Sequence, residues 1–378
     1  MANTFTDVIP ILLAQGLATL REQCVMPRLV NTDYSNDPAN VGDVVNVWIP
    51  SALAATDVTP GKDPVTPPDA QPTKVPIALN RWRKSGFHLT DKQRLEIIGG
   101  VQSKQAGEAV KALANDVNAF ILSKYVKVGG LAGTPGTTPF ATDLAAAKAA
   151  RAILNKQLAP MTDRRVVLDV NAEANASVLS QFLQADQRGD QQGILAGQIG
   201  HKLGMDWFLD QQIPTHTSTA LSAGAATVNG AHAAGVSTVS IAKATNTAPL
   251  VVGDVITIGT GATAESYAVA TATTLIVGNT AVAITQPLRR ALAGGETVAL
   301  AASHVVNLAF HRDAFAFVSR PLMGASSNAE NIMSVADPVS GVTLRLEVIR
   351  QNKQDYFEYD ILYGAECVRA DLATRIAG

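Results

Sequence analysis

Cysteine is nearly absent. Cys24 and Cys367 are the only two among 378 residues. They are too few for a disulfide framework and too far apart for a metal cluster, so both are expected as free thiols. Charge is also scarce: charged residues make up 16% of the chain and the formal net charge is -2. A chain so nearly balanced does not act as a polyanion binder over its whole surface. Low charge on a chain of this size points to surface that meets protein rather than water. No apolar run reaches roughly 18 residues, so no membrane-crossing helix is expected. Met1 to Leu20 has neither a basic front end nor an evident cleavage site and is read as structure, not as a signal peptide.

Catalytic and ligand-binding patterns are missing too. The glycine-rich stretch Gly129 to Pro139 lacks the Lys-Ser or Lys-Thr of a phosphate loop, and no strand leads into it. His201 and His216 lie too far apart to form one metal motif. His311 with Asp313 suggests either a proton relay or a turn salt bridge, and no nucleophile elbow lies nearby. Asp186, Arg188 and Asp190 read as a solvated polar turn. No catalytic, cofactor-binding or metal residue is assigned, no cofactor is expected, and the chain is not read as an enzyme.

What is present is a globular composition, 47% hydrophobic, long enough for two or three domains. Ile9 to Val30 has helical spacing up to Pro27, and Asn31 to Gly42 is rich in turn formers. This fits either a helix followed by an irregular arm or an ordinary first helix in a core. Val44 to Ile49 has strand character and Val75 to Leu89 resumes an extended pattern. Pro50 to Pro76 contains Pro50, Pro60, Pro64, Pro67, Pro68, Pro72 and Pro76, which keep the tip from forming helix or central sheet. The reading is a long hairpin, each half about 20 residues or at most ~65 Å extended; the bland alternative is a disordered linker. A finger of that length serves to reach a neighbouring molecule. Its candidate interface residues are Lys62, Lys74, Arg81, Trp82, Arg83 and Lys84. The Arg-Trp-Arg-Lys run also admits nucleic-acid contact, against a solvated strand or salt bridges between subunits.

Thr90 to Gln93 fits a capping box. Gln102 to Tyr125 then shows a clear helical period through Ala106, Ala109, Val110, Leu113, Val117, Phe120 and Ile121, roughly 36 Å of helix. Thr142 to Leu158 predicts a helix capped by Thr142 or Asp143, Arg165 to Val170 a buried strand, and Asn171 to Leu183 a second helix. Thr217 to Ser303 holds only six charged residues, Lys243, Asp254, Glu265, Arg289, Arg290 and Glu296. Its short strands at regular spacing predict a small all-β barrel or sandwich. Val342 to Val348 and Tyr356 to Tyr363 predict a hairpin.

One stretch carries a family resemblance. Gly197, Gly200 and Gly204, the strand Met205 to Leu209 and then Pro214 resemble the glycine turn, apolar strand and proline of tailed-phage major capsid proteins of the Hong Kong 97 type. Tyr363 to Asp371 resembles that family's closing strand with its arginine. The inserted β-region brings podovirus-type coat proteins nearest. The resemblance covers nearly the whole chain, with soft individual motifs. It implies an α+β phage capsid fold with these segments: an N-arm (1–43), an E-loop hairpin (44–89), and a spine helix and peripheral domain (90–140 with 342–378). An axial domain (141–216 with 304–341) and an inserted β-domain (217–303) complete it. It further implies self-assembly into hexamers and pentamers of an icosahedral shell, made in the bacterial host cytoplasm and carried in the virion. Implied partners are a scaffolding protein, a portal, packaged double-stranded DNA held by non-specific contact, and a decoration protein, with no membrane. Some relatives join an E-loop lysine to a neighbour's asparagine; Lys62 and Lys74 are placed for it, but the inserted-domain lineage implies no such crosslink. The competing reading is a secreted or surface β-rich adhesin, which leaves the missing export signal and the long helix unexplained.

Overall fold

A computed structural model describes residues 13–14, 16, 25–36, 44–51, 55, 57, 61, 72–92, 101–183, 199–219, 226–320, 332–337 and 340–378. Lys62, Gln93, Gly197, most of the expected first helix and most of the proline-rich tip lie outside the described residues.

Along the chain come α1 (Met26–Leu29), β1 (Val44–Ile49), β2 (Thr73–Ala78), β3 (Arg81–Thr90) and the long helix α2 (Val101–Ser123). Then follow β4 (Gly130–Ala132), α3 (Ala145–Lys156), β5 (Arg164–Leu168), α4 (Val170–Val178), β6 (His201–Lys202), β7 (Met205–Leu209) and β8 (Thr215–His216). The insertion contributes β9 (Ala226–Val228), β10 (Thr238–Lys243), β11 (Ala248–Leu250), β12 (Val255–Ile258), β13 (Glu265–Ala268), β14 (Thr273–Leu275), β15 (Gly278–Ala283) and β16 (Thr297–Leu300). β17 (His304–His311), β18 (Phe315–Arg320), β19 (Ile332–Ala336), β20 (Thr343–Gln351), β21 (Gln354–Cys367) and β22 (Ala373–Ala377) complete the chain.

The helix α2 forms where the period requires it. Ala106, Ala109, Val110, Leu113, Val117 and Ile121 are buried along one side, against a five-stranded sheet ordered β18-β21-β20-β19, with β3 also on β21. Phe120 meets Tyr363 edge-on at 5.5 Å, and Tyr363 donates its O–H to Asp116. On the helix's buried side Asn118 accepts the Met26 N–H at 2.9 Å and donates to Asp210 at 2.7 Å. One side chain thus ties α1, α2 and the end of β7 together, with both ends of its own buried amide hydrogen-bonded. The hairpin β20–β21 turns on Asn352 and Lys353, both at positive φ, the pairing that a two-residue turn of right-handed strands demands.

A second, mixed sheet of seven strands runs β4-β22-β17-β5-β7-β6, with β8 on β17. Asp169 caps α4 by accepting the Asn171 and Ala172 N–H groups, and Asp143 accepts the Ala145 N–H at the start of α3. Buried Arg164 is satisfied by Pro160 and Ala159 carbonyls and the Asn155 amide. The two sheets share one hydrophobic core. The insertion is all-β as expected, a six-stranded antiparallel sheet β13-β12-β16-β9-β10-β15 beside the pair β11–β14, with a core of its own.

Strand pairing distributes the chain differently from the expected segments. The arm Val75 to Leu89 divides at Leu79–Asn80: β2 pairs with β1, whereas β3 joins β21 in the body sheet. Only β1 and β2 form the hairpin base. It rests on the body because Gly364 has no side chain; a Cβ there would stand 2.3 Å from the Ala78 carbonyl oxygen. β18 and β19, from the segment expected in the axial domain, lie in the sheet of β20 and β21. β22, from the segment expected in the peripheral domain, lies beside β17 and β4. The short turn Arg312–Ala314 switches the chain between sheets. Alternation reveals that a segment is a strand but not which strand lies beside it.

Candidate interface surface

β3 sorts its residues by the two-residue repeat of a strand. Arg81 and Arg83 face α2: the Arg81 guanidinium lies 4.7 Å from the Phe120 ring centroid, and Arg83 Nε is 3.3 Å from Asp116. Trp82 and Lys84 face the other way, onto the side of the sheet that no helix among the described residues covers. There Lys84 pairs with Glu358 at 2.5 Å, and that hydrogen bond raises its pKa. Trp82 donates its indole N–H to Asp360 at 3.0 Å, yet its side chain leaves the residue 62% exposed. Asp360 also receives Arg345, whose Nε donates at 2.8 Å and whose Nη2 bonds the second oxygen. This forked pair raises the Arg345 pKa, and the guanidinium sits 6.0 Å from the Trp82 ring. Trp82, Lys84, Arg345, Glu347, Glu358 and Asp360 line one open groove.

At the hairpin base Trp48 is equally exposed, with Lys74 Nζ 5.8 Å from its ring. The structure therefore brings Arg81, Trp82, Arg83 and Lys84 onto one strand and sets Lys74 apart on β2. Lys62 lies outside the described residues. Each of the four basic residues found has an intrachain partner, three of them a carboxylate or aromatic ring on α2 or β21. The open face sets two cations, Lys84 and Arg345, against three carboxylates beside an exposed aromatic, and the two arginines of the Arg-Trp-Arg-Lys run do not share a face with its lysine. Asp116, Arg345, Glu358 and Asp360 are the residues that sequence reasoning missed. For Glu358 and Asp360 the signal was the charged residues alternating with Tyr and Phe in β21, but their partners Lys84 and Trp82 lie more than 270 positions away; Asp116 and Arg345 come from α2 and β20.

The remaining sites are structural. His311 accepts the Asp313 N–H through Nδ1 at 3.2 Å, burial lowers its pKa, and Arg312 reaches Asp33 at 2.9 Å; the segment is a braced turn. His201 pairs with Asp206 at 2.7 Å across the β6–β7 turn, while His216 is buried elsewhere. Burial pushes the Cys367 thiol up to about 12; Cys24 lies outside the described residues. Among the described residues no cluster of three or more His, Cys, Asp or Glu could hold a metal, and no helix is long and apolar enough to cross a membrane.

No protein-family model matches the sequence, and no curated protein matches it. Solved structures do. A chain of the Mycobacterium phage Che8 structure superposes with a TM-score of 0.52 at 18% identity, over 93% of this chain and 90% of that one. A chain from the capsid structure of the cyanophage P-SCSP1u gives 0.49 at 12%, over 93% and 87%. One from the mature capsid of bacteriophage PhiM1 gives 0.47 at 10%, over 93% and 86%. The likeness to the Che8 chain carries the conclusion that this chain has the α+β phage capsid fold that its sequence leads one to expect.

Proposed function

We propose that the chain is the major capsid protein of a tailed bacteriophage, a structural subunit that self-assembles into the icosahedral shell around the genome. The observation that supports this reading best is the near end-to-end likeness to the Che8 phage chain. The competing adhesin reading finds no support in that likeness. The subunit works by contact: copies pack as hexamers and pentamers, and many weak contacts repeated around a closed lattice give a stable whole. In this proposal 1–43 is the N-arm and the hairpin of β1 and β2 is the E-loop, its tip lying over an adjacent subunit. α2 is the spine, its five-stranded sheet the peripheral domain and the seven-stranded sheet the axial domain. Scaffolding protein, portal, packaged double-stranded DNA and a decoration protein are the expected partners. The virion is the place of residence, and the bacterial cytoplasm the place of assembly.

Electron microscopy of the protein expressed alone and with a scaffold tests the reading; closed shells are expected, and soluble monomers under every condition would refute it. Deleting Thr59 to Gln71 should leave the monomer folded and block or misdirect assembly. Normal shells from that variant would remove the hairpin tip from the assembly mechanism.

A further inference from the structure

The neck of the inserted domain buries two histidines side by side. β8 carries the chain in and β17 carries it out, and their register sets His216 opposite His304, with ring centroids 5.5 Å apart. Both side chains are buried. His216 bridges the two units. Tyr125, just past α2, donates its O–H to Nδ1 at 3.0 Å, and Nε2–H donates to Asp254 of the insertion at 2.9 Å. These two bonds are complete for a neutral imidazole carrying its proton on Nε2. Wholly buried Asp254 also accepts the Val251 N–H at 2.8 Å. His304 donates from Nδ1 to the Ala302 carbonyl at 2.8 Å, which leaves Nε2 as a buried lone pair with no donor among the described residues. Arg375, on β22, lies 4.9 Å from the Tyr125 ring centroid. Its Nη2 donates to the Tyr125 and Val126 carbonyls at 3.1 and 3.4 Å, and its Nε and Nη1 have no hydrogen-bond partner among the described residues.

The surroundings make this polar network decisive. The cores of body and insertion are separate clusters, so no continuous apolar core seals the junction. Close backbone approach takes its place. Gly253, at φ +88°, has space for a Cβ only 3.0 Å from Val126, and a Cβ on Gly129 would stand 2.8 Å from the Ala268 nitrogen. Thr285 adds one hydrogen bond to the Lys127 carbonyl at 2.9 Å. Interfaces of this polar kind between domains permit relative motion.

We propose that the neck is an acid-released latch: it holds the inserted β-domain against the body while His304 is neutral, and frees it when His304 takes up a proton. A proton on His304 Nε2 creates a buried N–H without an acceptor and a second cation beside Arg375. The groups facing His304 are His216, Tyr125, Asp254 and Arg375, and the one carboxylate among them already accepts from His216 and Val251. Opening the junction hydrates all of them. The sign follows from the closed state. Burial first, then Arg375 and His216, lower the His304 pKa, so the open form binds the proton more readily. The closed form is favoured above about pH 6.5 and loses ground as pH falls through that value.

Hydrogen exchange read by mass spectrometry on the full chain, at about pH 8 and about pH 5 and corrected for intrinsic rates, tests the latch. Peptides spanning 124–129 and 250–254 are expected to lose roughly tenfold of their protection at the lower pH, while the strands around Ile241 and Val282 keep theirs. The variant His304→Gln is expected to lose this pH dependence. Equal junction protection at both pH values in the unaltered chain overturns the proposal, as does loss spread evenly over the insertion. So does a pH response that persists in His304→Gln. If that variant does not fold, the unaltered chain alone decides.

Discussion

The body and the insertion solve the same packing problem with different side chains. In the body, a helix lies across a long-stranded sheet, and aromatics fill the space: Phe87 stacks on Phe357 at 5.1 Å, Phe310 meets Phe315 at 5.3 Å, and Phe140 and Phe182 flank Trp207. In the insertion, short strands surround a core of Val, Ile, Leu and Ala, with Tyr267 as the one buried ring. Large rings bury area efficiently where the walls are far apart; branched aliphatics fit a pleated surface closed tightly on itself. Two composition styles in one chain therefore mark two separately cored units, and each can be weakened without the other.

The largest expected effect breaks the body. Phe357→Ala removes a fully buried ring and should lower the stability of the body by about 3–5 kcal/mol. Denaturant unfolding, followed by a probe in each unit, should show the insertion's transition unmoved; if both shift together, the chain is one cooperative unit and the comparison fails. In the converse experiment, residues 217–303 expressed alone should give a β-type circular dichroism spectrum and a cooperative melt. A random-coil spectrum would deny the insertion independent folding. Within the insertion, Ile241→Val should lower only its own transition, by about 0.5–1.5 kcal/mol.

Acid offers a gentler handle on the same unit. Glu296 is held down to about 2, first by its hydrogen bond from Arg290 and then by the Ala293 N–H. A carboxylate depressed in the folded state stabilises fully above its ordinary pKa of 4.5. That contribution is lost as pH falls from there toward about 2. Glu296→Gln should flatten this acid limb of the insertion's melting curve and lower its stability at neutral pH. An unchanged acid limb would mean that other carboxylates govern it.

Local signals in the sequence were read well because they are carried by neighbours in the chain. The period of α2, the turn at Leu203–Gly204 with both residues at positive φ, the β20–β21 hairpin and the all-β insertion all follow from residues within a few positions of one another. Partnership did not follow. That β3 leaves the hairpin for β21, and that β22 crosses to β17, depends on contacts between distant segments that no window of sequence contains. The candidate surface suffered in the same way. Lys74, Arg81, Arg83 and Lys84 look like cations in search of acids until Asp116 and Glu358 arrive from other elements. The neck was hidden more deeply still, since His216, Asp254, His304, Tyr125 and Arg375 are scattered over 250 positions.

The smallest effect on stability gives the sharpest test of the surface. Arg83→Ala breaks a half-exposed pair with Asp116, and Trp82→Ala removes an exposed indole from the opposite face of the same strand. Both should leave the body's transition nearly in place; the Arg83 pair accounts for about 0–1 kcal/mol. Their effects on assembly should differ. Arg83 is engaged within its own chain, on the helix side, so its loss should leave particle yield by sedimentation close to that of the unaltered protein. Trp82 stands on the uncovered side with a large apolar area still in water, and aromatic residues in such positions concentrate contact energy when a partner covers them. Its loss should reduce the yield. The reverse ranking would move the contact surface to the helix side of the sheet and make Arg83 an interface residue after all.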